Sequence, residues 1–243
     1  MVESTFSIAR EFRNSRIFSL ILGAYLIFLA TMLITFGYKE SFLYLNGDSY
    51  SWLDWPMFFI THLGDSLILV SIISLIIVRA RPSTVLNVII TVVITGLLGQ
   101  ILKQFFFEGW DRPLRIFSDG SLIHSLPHYK LFHNSFPSGH SITVTSAVTI
   151  LVLDIRPKAL MQAFLAMLII LVTYSRIYLG AHFPGDVLAG IALGYLISVL
   201  IYRVFKLRTS RLQYTRNFTT IITILAIISL LAGIWLLRLY FRG

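Results

Sequence analysis

Three short polar clusters interrupt an otherwise apolar chain. They are Lys103 with Arg112-Pro113, Pro137-Ser138-Gly139-His140, and Ser175-Arg176 with His182 and Asp186. Together they offer three cations, two imidazoles, two hydroxyls and a carboxylate. That inventory suits holding a phosphate and breaking its ester bond. Arginine presents a planar fork of donors that matches phosphoryl oxygens. An imidazole with one nitrogen tied to a carboxylate keeps its other lone pair for attack. His182 and Asp186 stand four positions apart. If the following helix reaches back to His182 they share a face; otherwise Asp186 caps that helix. In both arrangements the carboxylate can accept the imidazole proton. Ser138 is a natural N-cap, and the free N–H groups of a helix start attract an anion. Gly139 lets backbone approach closely, and His140 is placed to protonate a leaving oxygen. Lys103 and Arg112 add cations that stabilise charge developing on phosphoryl oxygens. Each cluster alone also fits an ordinary role, such as a snorkelling lysine, a plain helix start or a solvated loop. The third cluster points to chemistry by itself, the second fits a plain helix start equally well, and the first gains its chemical reading from the other two.

The elements that must position these groups are membrane helices. The chain has 243 residues, 56% hydrophobic and 13% charged, whereas soluble domains are about half apolar and about a quarter charged. Apolar runs near 17–37, 57–78, 84–102, 140–154, 158–175, 187–205 and 219–237 approach or reach the roughly 20 residues that cross a bilayer. They predict an all-α polytopic bundle of seven spans in one domain over 1–243. The first run is longer than a signal-peptide core and reads as an uncleaved span. The long segment 103–139, with Pro113, Gly120, Pro127 and Pro137, is the one extended loop, and loops of that length tend to be functional. Cysteine is absent, which excludes disulfides, thiolate catalysis and cysteine-ligated metals.

The net charge of +9 would suggest nucleic acid in a soluble protein. Here the basic residues sit in short loops between apolar runs, and no basic stripe interleaves with aromatics, so they orient the chain in the membrane. With the N-terminus inside, twelve Lys and Arg fall inside, from Arg10, Arg13 and Arg16 to Arg203, Lys206, Arg208, Arg211 and Arg216. Eight fall outside, and three of those are Lys103, Arg112 and Arg176 themselves. This orientation puts all three clusters on the outer face. In a bacterium that is the periplasmic face of the inner membrane.

The clusters resemble the signature of the type 2 phosphatidic acid phosphatase (PAP2) superfamily. Its pattern runs Lys, Arg-Pro, then Pro-Ser-Gly-His, then Ser-Arg, five residues, His, three residues, Asp. The second and third motifs match without change. The first departs, with eight residues between Lys103 and Arg112 where six are usual, so a longer loop must return Arg112 to the site. The resemblance implies a six-helix core plus an added C-terminal span. It makes His182 the nucleophile that forms a phosphohistidine, Asp186 its orienting carboxylate, and His140 the acid and then the base. It makes Lys103, Arg112, Ser138, Gly139 and Arg176 the phosphate-binding set. No cofactor and no metal are implied. The substrate would be a lipid phosphate or diphosphate with its tail in the bilayer, such as phosphatidic acid, phosphatidylglycerol phosphate, undecaprenyl diphosphate or lipid A.

Two other readings compete. A lipid phosphotransferase would pass the same phosphoryl group to an acceptor other than water. A transporter would explain His62 and Asp65 inside an apolar run, but not three phosphate-type clusters on one side, and no inverted repeat is evident. Thr61, His62 and Asp65 are expected either to line the substrate cavity and support a histidine or to bond between helices. His124, His128 and His133 read as solvated, and Phe105, Phe106, Phe107 and Trp110 as an interfacial aromatic belt.

Overall fold

A computed structural model describes residues 13–47, 50–117, 122–126 and 129–240, except the side chains at 206, 207, 239 and 240. Arg10, Gly120, Pro127, His128 and Arg242 lie outside the described residues, as does the Lys206 side chain. The described chain is helical: α1 (Arg16–Phe36), α2 (Tyr38–Asn46), α3 (Ser51–Thr61), α4 (Ser66–Ile77), α5 (Pro82–Ile101), α6 (Pro113–Ile116), α7 (Gly139–Ile155), α8 (Ala159–Tyr178), α9 (Pro184–Ser210) and α10 (Arg216–Tyr240). Five helices are long and apolar enough to cross a membrane: Arg16–Phe36, Pro82–Phe106, Ala159–Tyr178, Pro184–Phe205 and Arg216–Arg238.

Two of the seven expected runs take a different form. The run at 57–78 is not one straight helix: α3 and α4 meet at a 74° bend, and counted together they make a sixth span. The break falls at His62–Gly64, a single 3₁₀ turn, after which the Asp65 carboxylate caps α4 by accepting from the Leu67 N–H at 2.8 Å. The run at 140–154 forms α7, which has only 17 residues. It is the centre of the bundle, buried at every position from Ser141 to Ile150. A helix wrapped in protein needs neither full bilayer length nor an apolar surface, because its neighbours replace lipid.

Small residues let the helices approach α7 closely. A Cβ on Gly190 of α9 would lie 2.7 Å from the Ser138 carbonyl, and one on Gly194 would lie 2.8 Å from the Ile142 carbonyl. Such small-residue spacing drives helix association in lipid, where apolar burial gives little net gain. At the end of the bundle away from the clusters, polar side chains pin α5, α7 and α9 together. Thr84 donates to Asp154 at 2.5 Å, and the Tyr202 hydroxyl donates to the Leu153 carbonyl at 2.9 Å. The other end is held by Asn46 of α2, whose amide donates to the carbonyls of Ile177 and Tyr178, each at 2.9 Å. These contacts set the frame that carries the three clusters.

Candidate active site

The clusters converge at one end of the bundle: Lys103 just past α5, Ser138 and His140 at the start of α7, Arg176 near the end of α8, and His182 and Asp186 around the start of α9. Asp186 lies in the first turn of α9, while His182 precedes it in the connection from α8. The carboxylate is completely buried and serves several donors. It accepts from the Phe183 N–H at 3.0 Å, which caps α9, and from His182 Nδ1 at 3.2 Å. It also accepts from Ser135 Oγ at 2.5 Å and from the Tyr38 hydroxyl. The helix does not reach back to His182, so of the two arrangements expected it is the cap that forms, and the capping carboxylate also holds the imidazole.

The tautomer of His182 follows from its partners. Arg112 lies 3.2 Å from His182 Nε2, and a guanidinium only donates. Nε2 is therefore the acceptor, and the proton sits on Nδ1, facing Asp186. Burial, and then the charges of Arg112, Arg176 and Lys103, hold the His182 imidazole well below its ordinary pKa. His182 is thus neutral, with its Nε2 lone pair turned toward cations. His140 also acts on His182 electrostatically, so both imidazoles belong to one field.

The stretched spacing between Lys103 and Arg112 is absorbed locally. The end of α5 widens into a π turn over Leu102–Phe106, and α6 begins at Pro113 with Arg112 as its N-cap. Lys103 Nζ donates to the Asn134 carbonyl at 2.8 Å, and Arg112 donates to the same carbonyl at 3.3 Å. Arg112 is further fixed by the carbonyls of His133 at 2.6 Å and Ala181 at 3.0 Å. The two cations therefore reach one point despite the longer loop. Arg176 is buried, donating to Thr61 Oγ1 at 2.6 Å and to the Tyr129 hydroxyl. Its Nε has no hydrogen-bond partner among the described residues.

Ser138 caps α7, accepting from the Ser141 hydroxyl at 2.9 Å. A Cβ on Gly139 would meet nothing within 4 Å. Gly139, His140 and Lys103 share a wall of a cavity of about 560 Å³ that also takes in Gly64 and Asp65. Asp65 thus lines the cavity while capping α4. His62 is buried against the Phe58 ring at 4.8 Å, and Thr61 serves Arg176. Gly64 at the bend is indispensable to this layout, since a Cβ there would stand 2.8 Å from the Cβ of His140.

The sequence reading missed Tyr38 and Ser135. Tyr38 follows Gly37, whose φ of +82° turns the chain from α1 into α2. Burial, and then the Asp186 carboxylate, push the Tyr38 phenol up, keeping it a donor. The Tyr38 ring packs so tightly that a Cβ on Gly185 would lie 2.4 Å from it. Two expected solvated histidines are instead paired. His124 Nε2 meets Asp54 at 2.8 Å and packs on Tyr178, while the exposed His133 meets Asp111 at 2.9 Å. The expected aromatic belt divides. Phe105 and Phe106 are exposed, whereas Phe107 and the partly exposed Trp110 pack on Phe136, next to the Pro137-Ser138 turn.

A buried neutral imidazole backed by a carboxylate and faced by guanidinium and ammonium groups is an arrangement for phosphoryl transfer. The family model described as the PAP2 superfamily matches residues 55–210. The chain belongs to the PAP2 superfamily. An undecaprenyl-diphosphatase of Sulfolobus acidocaldarius is 30% identical over 163 residues, 66% of this chain and 75% of that protein. The crystal structure of Aquifex aeolicus LpxE matches with a TM-score of 0.60 at 26% identity, over 68% of this chain and 94% of that one. A transmembrane PAP2-type phosphatidylglycerolphosphate phosphatase from Bacillus subtilis matches with a TM-score of 0.53 at 25% identity, over 79% of this chain and 97% of that one. Relatives that are phosphatases, together with these apolar helices, are consistent with a membrane phosphoric monoester or diphosphate hydrolase.

Proposed function

We propose that this protein removes the terminal phosphate of a lipid phosphate or diphosphate through a phosphohistidine on Nε2 of His182. The observation that carries the reading is the pair of contacts on the His182 ring, Asp186 on Nδ1 and Arg112 on Nε2. An entering phosphate takes over the Arg112 donors that now face Nε2. The unpartnered Nε of Arg176, Lys103 and the N–H groups at the start of α7 receive its other oxygens. The Nε2 lone pair then attacks phosphorus, and the bond from phosphorus to the leaving oxygen breaks. His140, protonated beside the phosphate, gives its proton to that oxygen. Positive charge on the His182 ring is balanced by Asp186. In the second step neutral His140 takes a proton from water, the hydroxyl oxygen attacks phosphorus, and the P–N bond breaks. The charge stabilisation comes from side chains and backbone donors of this chain.

Residues 1–243 act as one integral membrane unit in this reading, with the site on the outer face by the excess of inside Lys and Arg. The substrate classes to test are those of the relatives, isoprenyl diphosphate and phosphatidylglycerol phosphate, together with phosphatidic acid and lipid A. The deciding experiment is phosphate release by purified protein in EDTA. Release lost in His182→Ala, with an acid-labile phosphate trapped on the unaltered protein but not on the variant, is the expected result. Full activity in His182→Ala would sink the mechanism. A periplasmic reporter fused after Lys130 should be active and one after Lys206 silent; the reverse pattern would invert the topology.

A further inference from the structure

The cavity that begins at Lys103, Gly139 and His140 does not stop at the phosphate-binding groups. It runs down between α4 and α5 past Val92, Val93, Gly96 and Leu97, and Ser229 of α10 lines its far side. Val93 is 54% exposed and Leu97 61% exposed, so in a membrane this side faces lipid. Gly96 leaves the floor open, since a Cβ there would meet nothing within 4 Å. The cavity thus joins a cationic end to an apolar side opening. That is the shape of an amphiphile with an anionic head.

Helix α10 lies beyond the residues matched by the family model, which ends at 210. Of the five long spans it is the least buried, with 11% of its apolar window inside the protein. Its inner face carries half-buried Ile222, Leu230 and Leu237 but is small where it meets the cavity: Ala226 and Gly233 are buried, and Ser229 stands between them, half-buried, in the cavity wall. The grip is at Gly233, where a Cβ would lie 2.8 Å from Ile68 of α4. Larger residues such as Leu231, 61% exposed, point to lipid. A helix that merely filled the bilayer would have no need of small residues beside a cavity leading to His140.

We propose that α10 is the outer wall of a side cleft for the substrate's hydrocarbon tails, and that Ser229 sets the cleft's width. The proposal rests on the lipid-phosphatase reading and adds to it an element outside the matched family region that selects by tail. The occupant is a hydrocarbon chain attached to a phosphate or diphosphate, because the same cavity holds the phosphate-binding groups at its head.

The test compares long and short tails on one enzyme. Phosphate release is measured from dihexanoyl and dioleoyl phosphatidic acid, and from geranyl and undecaprenyl diphosphate. In Ser229→Trp the long-to-short ratio of kcat/KM should fall about tenfold through KM, the scale on which pocket shape discriminates apolar groups. Leu231→Trp, facing away, should leave the ratio where it is. A second measurement does not depend on a bulky variant. The chain has no cysteine, so Ser229→Cys carries a lone thiol. Its reaction with a maleimide should slow about tenfold when vesicles of dioleoyl phosphatidic acid replace vesicles of dioleoyl phosphatidylcholine, while that of Leu231→Cys should not. An unmoved ratio in both substrate pairs, or equal labelling at both positions, would overturn the wall. No release by the unaltered protein from any of these four substrates, from phosphatidylglycerol phosphate or from lipid A would sink the lipid-phosphatase reading itself.

Discussion

Helices α7 and α10 are opposites. The first has 17 residues, is rich in Ser and Thr, and is buried from Ser141 to Ile150. The second has 25 residues, a strongly apolar middle, and most of its side chains turned outward. By length α10 is a clear span and α7, though apolar, falls short. Yet α7 opens with Ser138, Gly139 and His140. In a membrane protein, apolar strength marks contact with lipid, whereas a helix sheltered by other helices is free to carry polar groups.

The contrast can be broken first at the chemical end. Because α7 and its neighbours assemble a unit, His182→Ala should cost about 10⁴-fold or more in kcat, read by phosphate release. A loss below tenfold would mean that the buried pole is not the reacting one. Next come the donors that the motifs do not contain. Tyr38→Phe and Ser135→Ala each remove a hydrogen bond to Asp186. Each should lower kcat about 10- to 100-fold with little change in KM, as loss of an orienting partner does. An effect on KM alone would place them in substrate binding instead.

The pH profile sharpens the same point. The His182 pKa is depressed, so its neutral imidazole persists below the ordinary histidine range, and the acidic limb governed by His182 should lie below pH 6.5. Removing a cation, as in Arg112→Gln, should move that limb toward higher pH while also weakening binding. For stability the sign is the same. The unfolded chain binds a proton at this residue that the folded chain does not, so His182 makes folding stability fall as pH drops through its unfolded pKa.

Smaller effects test packing. Gly194→Val pushes a methyl pair into the α7 backbone and should destabilise by roughly 1–3 kcal/mol in detergent unfolding. Leu231→Trp on α10 should change stability by less than about 0.5 kcal/mol. If the two were equal, the two helices would not differ in the way described.

Much of this was legible in the residues. The His182-to-Asp186 spacing, the Pro-Ser-Gly-His helix start and the apolar runs lead to the observed site and bundle, because they are local patterns. The bend at His62–Gly64 left a signal that length counting overrode: Gly64 and a capping Asp65 stand ahead of a fresh apolar run, which is the pattern of a helix start. Tyr38 left none. It lies 148 positions from Asp186, and a tyrosine near a membrane surface looks like any interfacial aromatic. Only the Gly37 turn and the packing against Gly185 bring it to the carboxylate. Ser135 was hidden similarly, in a loop where serine is ordinary.

The 74° bend described earlier has a mechanical consequence. Gly64 touches His140 on the chemical side, and Ile68, one helical turn further on, carries Gly233 of α10. One short knee thus touches both the His140 imidazole and α10. In the proposed scheme the wall of the tail cleft and the seat of the proton donor therefore share one support, the bend between α3 and α4.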